Sequence, residues 1–137
     1  LIVDHEVPHG TSRELFKTIA GGEATGVFQG KVIVRKYAQK TDGGMKSNAL
    51  LLNDGASMYN KPELEIFADD VQCGHGATVI DIDHVQLFYL MARGIPENKA
   101  RAMLVNAFVA EIVEELEDEP LVEALEGVIA DWLDKHA

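Results

Sequence analysis

The hydrophobic period of this chain changes once, and that change limits what it can fold into. From Gly26 to Val79 apolar residues come in short runs: Val32-Ile33-Val34, Leu50-Leu51-Leu52, Leu64-Glu65-Ile66-Phe67 and Val71-Gln72-Cys73. Between them stand Thr41-Asp42-Gly43-Gly44, Asn53-Asp54-Gly55, Asn60-Lys61-Pro62 and Gly74-His75-Gly76. Gly, Asn, Asp and Pro supply the positive or fixed φ that turns need, so these four segments are expected as turns. Strands of about three to six residues with frequent turns predict an all-β unit. No long helical pattern interrupts it, which argues against a doubly wound parallel sheet. The runs are unevenly spaced and give no clean repeat, so a sandwich and a solenoid both stay open. The opening Leu1-Ile2-Val3 reads as a strand cut in its middle, without the basic and apolar regions of a signal peptide. The expectation is a C-terminal piece of a longer protein.

After Val79 the period becomes helical. Asp83 is placed to cap a helix running to Arg93, with Gly94 just past its end. Pro96 then stands near the start of a second helix, where its missing N–H costs nothing. There Ala100, Met103, Leu104, Ala107, Phe108, Ile112 and Leu116 follow helical spacing until Pro120 stops it. A last helix carries Leu121, Val122, Leu125, Val128, Ile129, Trp132 and Leu133 as its apolar stripe. The expected division is therefore residues 1–82 and residues 83–137.

Charge follows the same division. Residues 1–96 carry 12 acids and 9 bases, residues 97–137 carry 11 acids and 3 bases, and the whole chain has a net charge of −11. That balance argues against a sequence-independent nucleic-acid binder, which needs clustered Lys and Arg. No apolar run approaches the roughly 20 residues of a membrane-spanning helix. The acidic run Glu114, Glu115, Glu117, Asp118 and Glu119 is expected as a solvated helix end. Carboxylates oppose the dipole at a helix C-terminus, so a basic partner surface that compensates them is the sharper alternative.

Chemistry points to Cys73-Gly74-His75-Gly76. The one cysteine excludes a disulfide framework and any all-cysteine metal site made by one chain. On a strand, positions i and i+2 face one side, so the Cys73 thiolate and the His75 imidazole can reach one metal or one sulfur species. A neighbouring imidazolium would also make the thiol more reactive. The bland alternative is a buried structural Cys beside a surface His. Two ligands do not close a metal site, so a complete one needs donors from a second chain. Other candidates rank lower. Gly21-Gly22 and Gly43-Gly44 lack the Gly-Lys-Ser/Thr of a phosphate loop. Ser12, Ser47 and Ser57 lie in no nucleophile-elbow pattern. His5 and His9 flank Pro8 and are expected in a loop. Glu63 and Glu65 share one strand face without an evident opposing pocket.

Several blocks in order carry a resemblance. They are GVFQGKVIVR at Gly26–Arg35, AQKTD at Ala38–Asp42, LLLNDGA at Leu50–Ala56, KPELEIFADDV at Lys61–Val71, CGHGATV at Cys73–Val79 and LFYLMARGIPENKARAML at Leu87–Leu104. Together they resemble the SufB/SufD family of iron–sulfur cluster assembly proteins, from about His5 to Ala130. Cys73-Gly74-His75-Gly76-Ala77-Thr78 is similar to the SufD pattern; SufB-like sequences tend to have His-Glu-Ala where this chain has His75-Gly76-Ala77. Asp42–Ala49, DGGMKSNA, departs from the family's usual Gln/Asn/Arg-rich text.

The resemblance implies a right-handed parallel β-helix, here truncated, followed by a C-terminal helical domain. It implies a non-enzymatic scaffold subunit in a complex of one SufB, one SufD and two copies of the SufC ATPase, in a bacterial cytoplasm or a plastid. Cys73 and His75 match the residues implicated in nascent cluster formation at the SufB–SufD interface. The iron–sulfur cluster would be transient there, its remaining ligands coming from SufB, with none held tightly by this chain alone. Met91–Glu111 matches the helical region that meets SufC, with Arg93 and Arg101 as candidate contacts. A stand-alone metal- or thiol-dependent enzyme using Cys73 and His75, an inert dimerisation module, and a homodimer of this chain are the competing expectations.

Overall fold

The computed structural model describes residues 1–114 and 116–136. Six strands come first: β1 (Ile2–His5), β2 (Thr11–Ala20), β3 (Thr25–Val34), β4 (Asp42–Leu51), β5 (Ser57–Ile66) and β6 (Gln72–Asp81). Three helices follow: α1 (His84–Met91), α2 (Glu97–Glu114) and α3 (Glu119–His136). The strands form two three-stranded sheets, in the orders β1-β3-β5 and β2-β4-β6, and every pairing is parallel. Parallel neighbours need a long crossover. Here each crossover is itself a strand of the opposite sheet. Thr11 lies beside Asp42 and Asp42 beside Gln72, steps of 31 and 30 residues; Ile2 lies beside Lys31 and Lys31 beside Glu63, steps of 29 and 32.

This corrects three sequence expectations. Five of the six strands are ten residues long, β2 among them, and they recur at a near-constant step where uneven spacing had hidden a repeat. Asn53-Asp54-Gly55 does make a turn, but Asp42–Gly44, Asn60–Pro62 and Gly74–Gly76 lie inside strands. Gly43 is buried facing the opposite sheet, where a small residue fits, whereas Gly74 and Gly76 have open space above them on the edge strand. A Cβ on Gly30 would stand 2.6 Å from Met45 Sδ and 2.7 Å from Phe28 Cζ. Pro62 sits in an edge strand, where a missing N–H is tolerated.

Burial along β4 follows the pleat: Gly43, Met45, Ser47 and Ala49 are buried, whereas Lys46 is exposed. The core between the sheets is Val32, Val34, Ala38, Met45 and Ala68, with Phe28, Leu64, Val71 and Cys73 packed against it. Polar ties cross it as well. Ser47 Oγ donates to Asn60 Oδ1 at 2.7 Å, joining β4 to β5.

The helices form where the period predicted. Asp83 caps α1, its Oδ1 accepting from the N–H groups of Val85 and Gln86 at 2.8 and 3.2 Å. Gly94 takes φ 84° beyond the helix end. A second core joins Leu50 and Ile82 to Leu87, Ala100, Val105 and Leu133. The α2 face therefore includes Val105, which the spacing argument missed, while Met103 and Ala107 are exposed. Pro120 does not merely stop α2; it occupies the first turn of α3, where proline is favoured. Asp118 Oδ1 accepts from Leu121 N–H at 3.1 Å and Glu119 lies in that first turn. These two carboxylates of the acidic run thus stand at a helix N-terminus, where the dipole favours them. Glu115 lies outside the described residues.

Candidate functional site

Cys73 and His75 lie on β6, the outermost strand of its sheet, paired to β4 on one side only. In register, Cys73 faces Gly43 and Ser12 along the ladder, and His75 faces Met45 and Glu14. Gly43 and Met45 belong to the buried row of β4, so alternation turns Cys73 and His75 to the same side, toward the other sheet. Because no further strand among the described residues covers β6, this row is open: Cys73 is half-buried and His75 exposed. The thiol is therefore neither sealed in the core nor fully in water. One flank packs against the Val32–Met45 cluster and the other borders the free sheet edge.

Gly43 and Ser12 continue the row of the thiol across the sheet. A Cβ on Gly43 would lie 3.5 Å from Cys73 Sγ and 3.6 Å from Ser12 Oγ, so Gly43 leaves a gap between sulfur and hydroxyl. Ser12 Oγ is 3.0 Å from His5 Nε2. The His5 ring requires glycine at position 10, where a Cβ would come within 2.6 Å of Nδ1. Ser12 was discounted in the sequence for want of a nucleophile-elbow pattern and His5 as a loop residue beside Pro8; the ladder puts Ser12 in the same row as Cys73, with Gly43 between them, and His5 bonds to Ser12. Their partnership depends on the turn between β1 and β2, in which His9 takes φ 63°. His5 is the last residue of β1, not a loop residue. Glu14 is in the same inner row, and its Oε2 is buried without a hydrogen-bond partner among the described residues.

Both faces of this edge border one groove. Gly74 and Gly76 have open space above them. Residues 72–76 line a groove of about 840 Å³ with Arg13, Lys46 and Glu111. Arg13 is fixed there, donating to Asp42 Oδ2 at 2.8 Å and to the Asp42 and Ser12 carbonyls. That hydrogen bond, then the Asp42 charge, raises the Arg13 pKa. Glu111, on α2, pairs with Lys17, whose side chain is 6% exposed and whose Nζ also stands 4.4 Å from the Phe108 ring centroid. The lower-ranked carboxylates are in ion pairs: Glu65 with Lys31 at 2.6 Å and Glu63 with Lys61 at 3.6 Å.

Arg93 and Arg101 are not brought together. The Arg93 guanidinium stacks on Tyr89, 3.7 Å from the ring centroid, beside an exposed apolar face of α1. Val85 is 77% and Phe88 72% exposed there. Arg101 donates to Glu97 at 3.1 Å and turns toward a crevice under α3. Among the described residues, no group of three or more His, Cys, Asp and Glu is placed to hold a metal ion. No described helix is long and apolar enough to cross a membrane. What the edge offers is one soft thiol donor and one imidazole donor on a strand with free backbone groups.

Comparison with known proteins shows the family. The family described as SUF system FeS cluster assembly, SufBD core domain, matches residues 1–108. The chain is 47% identical over 119 residues to iron-sulfur cluster assembly protein SufD of Escherichia coli, covering 87% of this chain and 28% of that protein. It is 44% identical over 115 residues to the chloroplastic protein ABCI7 of Arabidopsis thaliana, covering 83% of this chain and 24% of that protein. An iron-sulfur cluster assembly SufBD family protein of Synechocystis is 40% identical over 109 residues, 80% of this chain and 24% of its own length. The chain thus spans about a quarter of the curated relatives it matches. With the SufBD core covering most of its residues and Cys73 and His75 on an open strand edge, the chain belongs to the SufB/SufD family of iron–sulfur cluster assembly proteins and is most like SufD.

Proposed function

We infer that this chain acts as a SufD-like, non-enzymatic scaffold on which an iron–sulfur cluster, its cargo, is assembled with a SufB-like partner. The observation that carries this reading is the position of Cys73 and His75: same face, edge strand paired on one side only, thiol half-buried. An exposed strand edge is a template for pairing with another chain. Tyr59 and Ile66 on β5, with Val79 and Ile80 on β6, add exposed apolar surface along the two free edges. A SufB-like subunit seated there would cover that surface and supply the ligands that a thiolate and an imidazole lack.

The steps of 29 to 32 residues between alternating sheets support a right-handed parallel β-helix for residues 1–82, with residues 83–137 as a helical domain. The exposed α1 face, with Val85, Phe88, Tyr89 and Met91 beside Arg93, suits a SufC-like ATPase. In that arrangement ATP-driven movement of two SufC copies would reach the cluster site through the helices that share a core with Leu50 and Ile82. A bacterial and a chloroplastic relative favour bacterial cytoplasm or plastid as the compartment.

The test is complementation of cluster maturation in cells by full-length protein carrying Cys73→Ser or His75→Ala, with co-purification of partners measured in parallel. We expect His75→Ala to lose maturation while SufB and SufC are retained, and Phe88→Asp to lose SufC alone. Wild-type maturation by both Cys73→Ser and His75→Ala would overturn the reading. Retention of neither partner by the wild type would do so as well.

A further inference from the structure

A crevice of about 480 Å³ opens between the turn after β2 and helices α2 and α3. Its walls are Ile19, Leu52, Ile82, Val105 and Trp132, and its polar side chains are Arg101 and Asn53. Asn53 is already committed. Its Oδ1 accepts from Gly22 N–H at 2.6 Å and its Nδ2 donates to the Gly22 carbonyl at 2.7 Å, which closes the turn. Arg101 is not: among the described residues its guanidinium makes one bond, from Nε to Glu97 Oε1 at 3.1 Å. Arg101 stands where this crevice meets a smaller one that Asp54, Asp81 and His84 line.

Ligand sites are commonly concave and mostly apolar, about 300–1,000 Å³ in size, with few polar groups that fix orientation. A guanidinium fork selects planar or tetrahedral oxyanions. We propose that this crevice binds a small anion with an apolar, aromatic-sized body, its oxyanion held by Arg101 and its body laid against Trp132, Leu52 and Val105. Arg101, although paired with Glu97 through Nε, is the one charged side chain among the described residues that line this crevice, and it sets the sign of the ligand. The site is separate from Cys73 and His75, so its failure would leave the scaffold reading untouched.

Trp132 is the chain's one tryptophan, so its emission reports occupancy directly. The probes are anilinonaphthalene sulfonate and the uncharged phenylnaphthylamine, which share an aromatic body and differ in the oxyanion. With the full chain we expect saturable binding of one sulfonated probe, energy transfer from Trp132, and an affinity at least about tenfold above that of the neutral probe. Arg101→Met should abolish that preference while circular dichroism stays native. Ala24→Phe, at an exposed position on the crevice rim, should block both probes without touching the core. Equal affinity for the two probes, a preference that survives Arg101→Met, or binding that survives Ala24→Phe would each overturn the proposal.

Discussion

Gly30→Ala tests whether the sheets pack as closely as the structure has them. The new methyl would stand 2.6 Å from Met45 Sδ, 2.7 Å from Phe28 Cζ and 3.0 Å from Phe28 Cε1. Carbon contacts are comfortable at about 3.5–4.0 Å, so both neighbours must retreat by roughly an ångström. Neither has free room. Met45 is 1% exposed, and the Phe28 ring lies 4.5 Å from that of Phe16. Overpacking of this kind costs about 1–3 kcal/mol. Replacing glycine by alanine returns about 0.4–1 kcal/mol through the unfolded chain. The net expectation is destabilisation by about 1–2 kcal/mol, read as a lower urea midpoint with an unchanged slope. Trimming the obstacle with Met45→Val in the Gly30→Ala background should recover part of the loss. A Gly30→Ala protein as stable as the parent, or a second substitution that only deepens the loss, would refute the close packing of β3 on β4.

Three further outcomes are expected. The Lys17 hydrogen bond and then its charge hold the Glu111 carboxyl below its ordinary value of 4.5. The stability so gained is present above that value and is lost as pH falls through the lowered folded one. Urea midpoints of the wild type should therefore drop more steeply on that acid limb than those of Lys17→Met. Gly43→Ala fills the gap between Ser12 Oγ and Cys73 Sγ at ordinary contact distances. It should leave the thermal midpoint nearly unchanged and slow alkylation of Cys73 by iodoacetamide severalfold. Asp83→Ala removes the α1 cap, at about 0.5–2 kcal/mol, and should speed amide exchange in His84–Met91 before any other helix.

The helices were legible in the sequence because their signals are local. A capping Asp83, a Gly94 past the end and a 3.6-residue period need no tertiary contact to be recognised. The strands were less legible for the opposite reason. Gly43, Pro62, Gly74 and Gly76 mark turns by propensity, yet the stack uses them where sheets meet or edges lie open. Tertiary context overrides a weak local preference there. The pairing of Cys73 with His75 needed only the two-residue period of a strand. The approach of Ser12 and His5 needed the 31-residue step from Thr11 to Asp42, which no residue type announces. Arg101 illustrates the same limit: its charge was visible, but not the crevice it faces.

Because each link between neighbours in one sheet is a full strand of the other, length along this molecule comes in whole units. Adding or deleting one residue within such a strand would reverse which side chains meet the interior from that point onward. A duplicated block of one complete circuit would preserve every facing. Lineages carrying this architecture should therefore differ either at the bends, such as Asn53–Gly55, or by entire circuits, with intermediate lengths purged.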